Sequence, residues 1–269
     1  MTGEPTTAPR RVGRGMRPAW LVVESMWVWY RRNWRSTVFS SIVVPLLFLL
    51  SIGYGLGSQV RSTAAFGGMS YVDYLAPALL VTAAVQNAAF ESTYPILSGF
   101  KWQRVYWAMV TAPITPGQVF GGQLLWIGLR LFGSGAIFVA VTAILGAAAG
   151  PGIVLALLFA VLAGMAFAAP VIAYAGTKDG DGGFAAIFRF IVMPMTIFAG
   201  VFFPVSQLPG WIEPLVWLTP VWHGAELTRG VTFGTLSFWP AVGHMAFLAV
   251  MLAVGCVLAA RVFRRRLET

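Results

Sequence analysis

The chain has little charge and even less acid: 10% of its 269 residues are charged, with nine Asp and Glu against eighteen Lys and Arg. A soluble domain of this length has too little interior to hide a 58% hydrophobic composition with mean hydropathy +0.78, so several segments must face lipid. Cysteine is almost absent. Cys256 stands alone in the last apolar run, which excludes a disulfide within the chain and leaves no thiol cluster for a metal. Neither His223 nor His244 sits in an H-E-x-x-H context, and no G-x-S-x-G elbow occurs. G-x-x-x-x-G-K-[ST] is also missing, so no phosphate-cradling loop is present. GTKDGDGG at 176–183 lacks that spacing and reads as a flexible polar turn. The net charge of +9 does not point to nucleic acid, because most basic residues lie beside apolar runs rather than along a soluble face.

What is abundant is long apolar sequence. A bilayer core of ~30 Å needs ~20 helical residues to cross it. Six stretches qualify, at about 38–57, 71–97, 118–145, 153–175, 184–201 and 240–262. The expected fold is therefore an all-α polytopic membrane protein with six transmembrane helices, and six crossings put both termini on one side. Fifteen basic residues fall on that side: Arg10, Arg11, Arg14, Arg17, Arg31, Arg32, Arg35, Lys101, Arg104, Lys178, Arg189, Arg261, Arg264, Arg265 and Arg266. Arg61 and Arg229 fall on the other, and Arg130 lies inside the third span. The bias of Lys and Arg toward the cytoplasm places both ends inside the cell. The first hydrophobic core begins near residue 38, too late for a cleaved leader. Residues 1–17, rich in Thr, Pro, Gly and Arg, are expected to be a disordered cytosolic tail before one transmembrane domain over 18–269.

Before the first span comes PAWLVVESMWVWYRRNW, in which Trp20, Trp27 and Trp34 recur every seven residues with Val23 and Tyr30 near the same helical face. Rings favour the interface and arginines favour headgroup phosphates, so 18–35 is expected as an interfacial helix on the cytoplasmic surface. A plain extension of the first span is the alternative. The loop after span two, SGFKWQRVYWAMVTAPITPGQ, allows a short helix at 101–110 presenting Trp102, Tyr106 and Met109 on one side, beside Lys101 and Arg104, until Pro113 and Pro116 stop it. Such a helix suits a groove in a partner protein, or rests on the membrane.

Residues 201–230, VFFPVSQLPGWIEPLVWLTPVWHGAELTRG, are too greasy for a soluble loop and too broken by Pro204, Pro209, Pro214 and Pro220 to span. Irregular backbone at membrane depth survives only where protein or a water-filled cavity satisfies it. Short re-entrant helices between spans five and six would accommodate Trp211, His223 and the i,i+3 pair Glu226 and Arg229.

GVFFPVSQLPGW, then P-L-V-W-L-T-P and H-x-x-E-x-x-R-G, resemble the ABC-2 family of ABC-transporter permeases, in particular its bacterial daunorubicin-type drug exporters and nodulation lipo-oligosaccharide exporters. The resemblance runs from about residue 20 and includes PLLFLLSIGYGLG, FESTYPI and the R-R-R-L end. It implies a six-span bacterial plasma-membrane subunit that dimerises with itself or a related permease and docks a separate ATP-binding subunit, where ATP and magnesium would bind. It also implies a coupling helix in the 2–3 loop and half-inserted extracellular helices before span six, which favours the partner-docking reading of 101–110. The function implied is export of a drug-like, lipid or glycolipid amphiphile, with no chemistry on the substrate and no cofactor in this chain.

Two charges lie plainly inside spans. Glu91 is near the cytoplasmic end of span two, and Arg130 is about twelve residues, ~18 Å, into span three. A buried charge costs several kcal/mol unless paired, so an intramembrane Glu91–Arg130 bridge is expected. Gln86 and Asn87, one turn nearer the outside, would bond between helices or line a pathway. Gly53/Gly57 and Gly146/Gly150 would permit close helix contact. Two rival functions remain. A proton-coupled carrier would show repeats and several midplane ionisable groups, where Glu91 is the one clear span carboxylate. An intramembrane lipid-modifying enzyme would need a nucleophile–base or metal constellation, and the spans offer none.

Overall fold

The computed structural model describes residues 17–56, 70–146 and 152–268. The tail up to residue 16, Arg61, Gly57 and Gly150 lie outside these, as do the side chains of Trp34 and Arg35. The described residues form helices and turns, with no strand among them. Three helices are long and apolar enough to cross a bilayer: α5 (Pro116–Ile144), α6 (Ile153–Gly176) and α11 (Phe238–Leu267). The other expected spans are helical but less apolar or shorter. They are α1 (Arg17–Phe48) with its π-helical continuation Leu49–Leu56, α2 (Tyr71–Ser92), and the apolar run Phe184–Phe198. That run comprises α7 (Phe184–Ile187), a π-helical turn and α8 (Met193–Phe198).

Local chemistry sets the boundaries. Ser70 caps α2 by accepting from the Asp73 amide at 3.2 Å. Thr115 and Gln118 form a reciprocal capping box at the start of α5, with Pro116 preset for the first turn. Thr219 caps α10 (Pro220–Thr232) by accepting from the Trp222 amide at 3.4 Å, with Pro220 at the first helical position. Three arginines close the last turn of α11, where cations suit the helix dipole.

Helix α6 is the centre of the molecule and packs against α11, α2, α10 and α5. Its inward face is mostly alanine, with Gly164 and Phe167, so neighbouring backbones approach closely. Helix α1 packs on α5, where Gly122 makes the contact possible. A Cβ there would lie 2.7 Å from the Ala19 carbonyl oxygen.

Three sequence expectations differ from the structure. The helix at 18–35 and the first span are continuous, because no proline or glycine interrupts 19–44. Span two does not run unbroken to residue 97. Pro95 has no N–H for the Glu91 carbonyl and its ring crowds that group, so the helix breaks at Thr93 and restarts as α3 (Tyr94–Phe100), with Pro95 in its first turn. The short helix of the next loop, α4 (Val105–Thr111), starts after Arg104 at φ 53° instead of at Lys101. Tyr106 therefore points into the core and does not share an exposed face with Trp102.

Candidate functional site

Three clusters of polar or aromatic side chains are built on this frame. The first lies between α1, α2 and α5. Arg130 Nη1 donates to Glu91 Oε1, and the Arg130 guanidinium carbon sits 5.1 Å from the Tyr30 ring centre. Both charged side chains are mostly buried, at 15% and 16% exposure. Tyr30 and Trp27 meet Trp126 edge-to-face at centroid distances of 5.6 and 6.3 Å. Together with Trp20, Glu24 and Asn87 they line a groove of about 630 Å³. Gln86 is half-buried one residue before Asn87.

The second cluster lies at the end of the bundle that carries α4. Trp102, Arg104, Val105 and Trp107 are exposed, and Met109 is half-buried. Tyr106 is buried against Phe100 and Phe263, and its hydroxyl donates to Gln123 Oε1 at 3.2 Å. Burial, reinforced by the Glu91 charge, holds that phenol well above the usual tyrosine pKa. Lys101 Nζ donates to the Asp179 carbonyl oxygen. Arg266, on the last turn of α11, donates to the Gly176 and Lys178 carbonyls at 2.6 and 2.9 Å and to the Asp179 carboxylate at 2.6 Å. Its guanidinium lies 4.7 Å from the Phe100 ring centre. The loop after α6, the base of α3–α4 and the C-terminus of α11 are thus tied at one point.

The third cluster surrounds α10. Pro204 precedes a 3₁₀ turn at Val205–Gln207, Pro209 and Trp211 are exposed, and Glu213–Trp217 forms the short helix α9. Ten of the thirteen α10 residues are buried. Arg229 is central there. It donates to the Tyr74 carbonyl at 3.1 Å, to Gly200 at 2.5 Å and to Val201 at 3.3 Å, and its guanidinium lies 3.8 Å from the Tyr74 ring centre. Gly200 turns the chain at φ 75°, a backbone region that glycine enters without strain. The Tyr74 hydroxyl donates to the same Gly200 carbonyl at 3.0 Å. Glu226 reaches Arg229 only at 3.5 Å and is 44% exposed, so that pair is a weak rim contact. His223 and His244 meet through their Nδ1 atoms at 2.8 Å, while His223 Nε2 lies 2.8 Å from the Trp217 carbonyl. A carbonyl only accepts, so Nε2 carries the proton. Nδ1 of neutral His223 then accepts from His244. Burial pulls His223 below the ordinary histidine pKa.

Sequence reasoning missed the Tyr74–Arg229–Gly200 junction, the Asp179–Arg266 knot and the aromatic groove as a unit. Arg266 and Lys101 stood out only as positive charge, and the tryptophans only as membrane anchors. The described residues contain no group of three or more His, Cys, Asp or Glu placed to hold a metal.

Comparison with known proteins places the chain in a family. A family model described as ABC-2 type transporter matches residues 18–233. The chain is 28% identical over 251 residues to Nodulation protein J of Sinorhizobium fredii, covering 90% of this chain and 94% of that protein. Nodulation protein J of Rhizobium meliloti is 27% identical over 251 residues, at 90% and 94% coverage. Inner membrane transport permease YadH of Escherichia coli is 24% identical over 235 residues, covering 81% of this chain and 84% of that one. With four-fifths of its length matched, the chain belongs to the ABC-2 type transporter family of membrane transport permeases.

Proposed function

We propose that the chain is the membrane-spanning subunit of an ATP-driven exporter in the bacterial inner membrane, moving a drug-like, lipid or glycolipid amphiphile outward. In this reading it crosses six times with both termini in the cytoplasm, and it works as a dimer of permeases with a separate ATP-binding subunit below. Residues 18–35 form the cytoplasmic end of the first crossing, continuous with it in α1, and α9 and α10 enter the outer leaflet and return. The observation that carries the proposal is α4. It is a short helix at one end of the bundle with Trp107 outward and Tyr106 locked inward, preceded by the exposed Trp102 and Arg104. A partner that pushes on the outer residues loads Tyr106, and through it Phe100 on α3, Gln123 on α5 and Phe263 on α11. Closely packed helices transmit such a push as rigid bodies because interiors compress little. The Lys101–Asp179–Arg266 knot carries the same displacement to the loop after α6.

The test is purification of the tagged chain from its own membranes, followed by measurement of vanadate-sensitive ATP turnover in the copurified material. An ATP-binding subunit should copurify, and Trp102→Ala with Trp107→Ala should lower its recovery at least fivefold without changing the yield of the permease. Transport by the isolated chain on a proton gradient alone would overturn the proposal and favour a secondary carrier.

A further inference from the structure

The groove between α1, α2 and α5 is not explained by the α4 linkage or by the Arg229 junction. Among the described residues its charged lining consists of Glu24, Glu91 and Arg130, which is one negative charge in excess. Arg130 is already engaged by Glu91, so among the described lining residues an incoming anion meets two carboxylates and no uncommitted cation. The other walls are Trp20, Trp27, Tyr30 and Trp126, whose ring faces attract cations. At about 630 Å³ the space falls within the range of small-molecule sites. From Trp126 the groove continues along α5 past Leu129 and Gly133 to Ile137, about 17 Å at the helical rise. Leu129 and Ile137 are both exposed, so an apolar tail finds an apolar track leading away from the charged end.

We propose that this groove binds a cationic amphiphile, with its positive head among the tryptophans, Glu24 and Glu91, and its apolar part along Leu129 and Ile137. The assignment narrows the substrate class of the export reading and rests on that reading only for the direction of movement. A neutral sugar head would stack on the same rings without using the excess carboxylate. An anionic lipid would be repelled by it.

The experiment uses the full chain in nanodiscs of zwitterionic phosphatidylcholine, without any ATP-binding subunit. The probe is radiolabelled tetraphenylphosphonium, compared with its near-isosteric anion tetraphenylborate and with the neutral amphiphile octyl glucoside as competitor. Saturable phosphonium binding is expected. Glu24→Gln, at an exposed position, should weaken it about tenfold through the lost charge, and Trp27→Ala about threefold. Equal or tighter binding of tetraphenylborate, displacement by octyl glucoside at lower concentration than by unlabelled phosphonium, or an unchanged Kd in Glu24→Gln would each overturn the proposal. So would absence of saturable binding. None of these outcomes touches ATP-subunit recovery through Trp102 and Trp107, so failure here and failure of the export reading are separable.

Discussion

Replacing Arg229 with Met should be among the most damaging single changes in the chain. Arg229 joins three segments: α10 that carries it, the first turn of α2 through the Tyr74 carbonyl, and the Gly200 turn after α8. Its three carbonyl bonds measure 2.5–3.3 Å and come from a cation that is almost fully buried. Hydrogen bonds from charged donors contribute ~1.5–3 kcal/mol each in soluble proteins. Those between membrane helices average ~0.6 and reach ~1.7 kcal/mol. Three such bonds at the upper membrane value, with a further ~1 kcal/mol from the cation–π contact, total about 6 kcal/mol. Glu226 adds little, being half exposed at 3.5 Å. Met fills most of the volume but leaves the carbonyls of Tyr74, Gly200 and Val201 without this donor. Lys offers a point charge able to reach one carbonyl, so Arg229→Lys should lose about half as much as Met. The assay is unfolding by SDS titration in mixed micelles, followed by circular dichroism. A loss below ~0.5 kcal/mol in Arg229→Met, or a Lys variant as stable as wild type, would refute the idea that this guanidinium ties the segments together.

Glu91→Gln and Arg130→Gln should each destabilise the fold by about 3 kcal/mol and lower the monodisperse yield, and the charge-swapped double variant should regain part of that; equal loss in all three would argue against the pairing. Gly122→Val forces a Cβ to within 2.7 Å of the Ala19 carbonyl and should lower Tm by several degrees while separating α1 from α5, read as loss of Trp27–Trp126 proximity in fluorescence. Because burial lowers the His223 pKa, the unfolded chain binds the proton first as pH falls, so stability should be full above about 6.5 and decline below it. Melting curves from pH 8 to 5 should show this decline, and His223→Phe should flatten it; an identical acid limb in that variant would assign the effect elsewhere.

The sequence was most informative where physics is local. Apolar length marks α5, α6 and α11 directly, and the prolines of 204–220 mark the short elements that follow α8. The charged residues inside apolar runs, Glu91 and Arg130, stood out because isolated charges are costly in lipid. The break at Thr93 was also written in the chain as Pro95, but apolar residues continue to Leu97 and mask it. The face of α4 was misassigned because a helix assumed from Lys101 has a different register from one that starts at Val105 after a left-handed residue. The junction at Arg229 had no local signal, since Tyr74 is 155 positions away and its carbonyl belongs to an ordinary helical turn. The knot at Asp179 likewise joins Arg266 across 87 positions. Contacts of that separation depend on how α6 gathers its neighbours.

The arrangement of the chain across the bilayer is open to a single labelling experiment. In a Cys256→Ala background, Trp102→Cys and Trp211→Cys place thiols at two exposed positions, and a membrane-impermeant maleimide is applied to intact spheroplasts and then to lysed ones. Six crossings with α4 inside the cell require Trp211→Cys to react in intact spheroplasts and Trp102→Cys to react only after lysis. Labelling of both from the outside, or of Trp211→Cys only after lysis, would contradict that arrangement and the ATP-driven reading built on it.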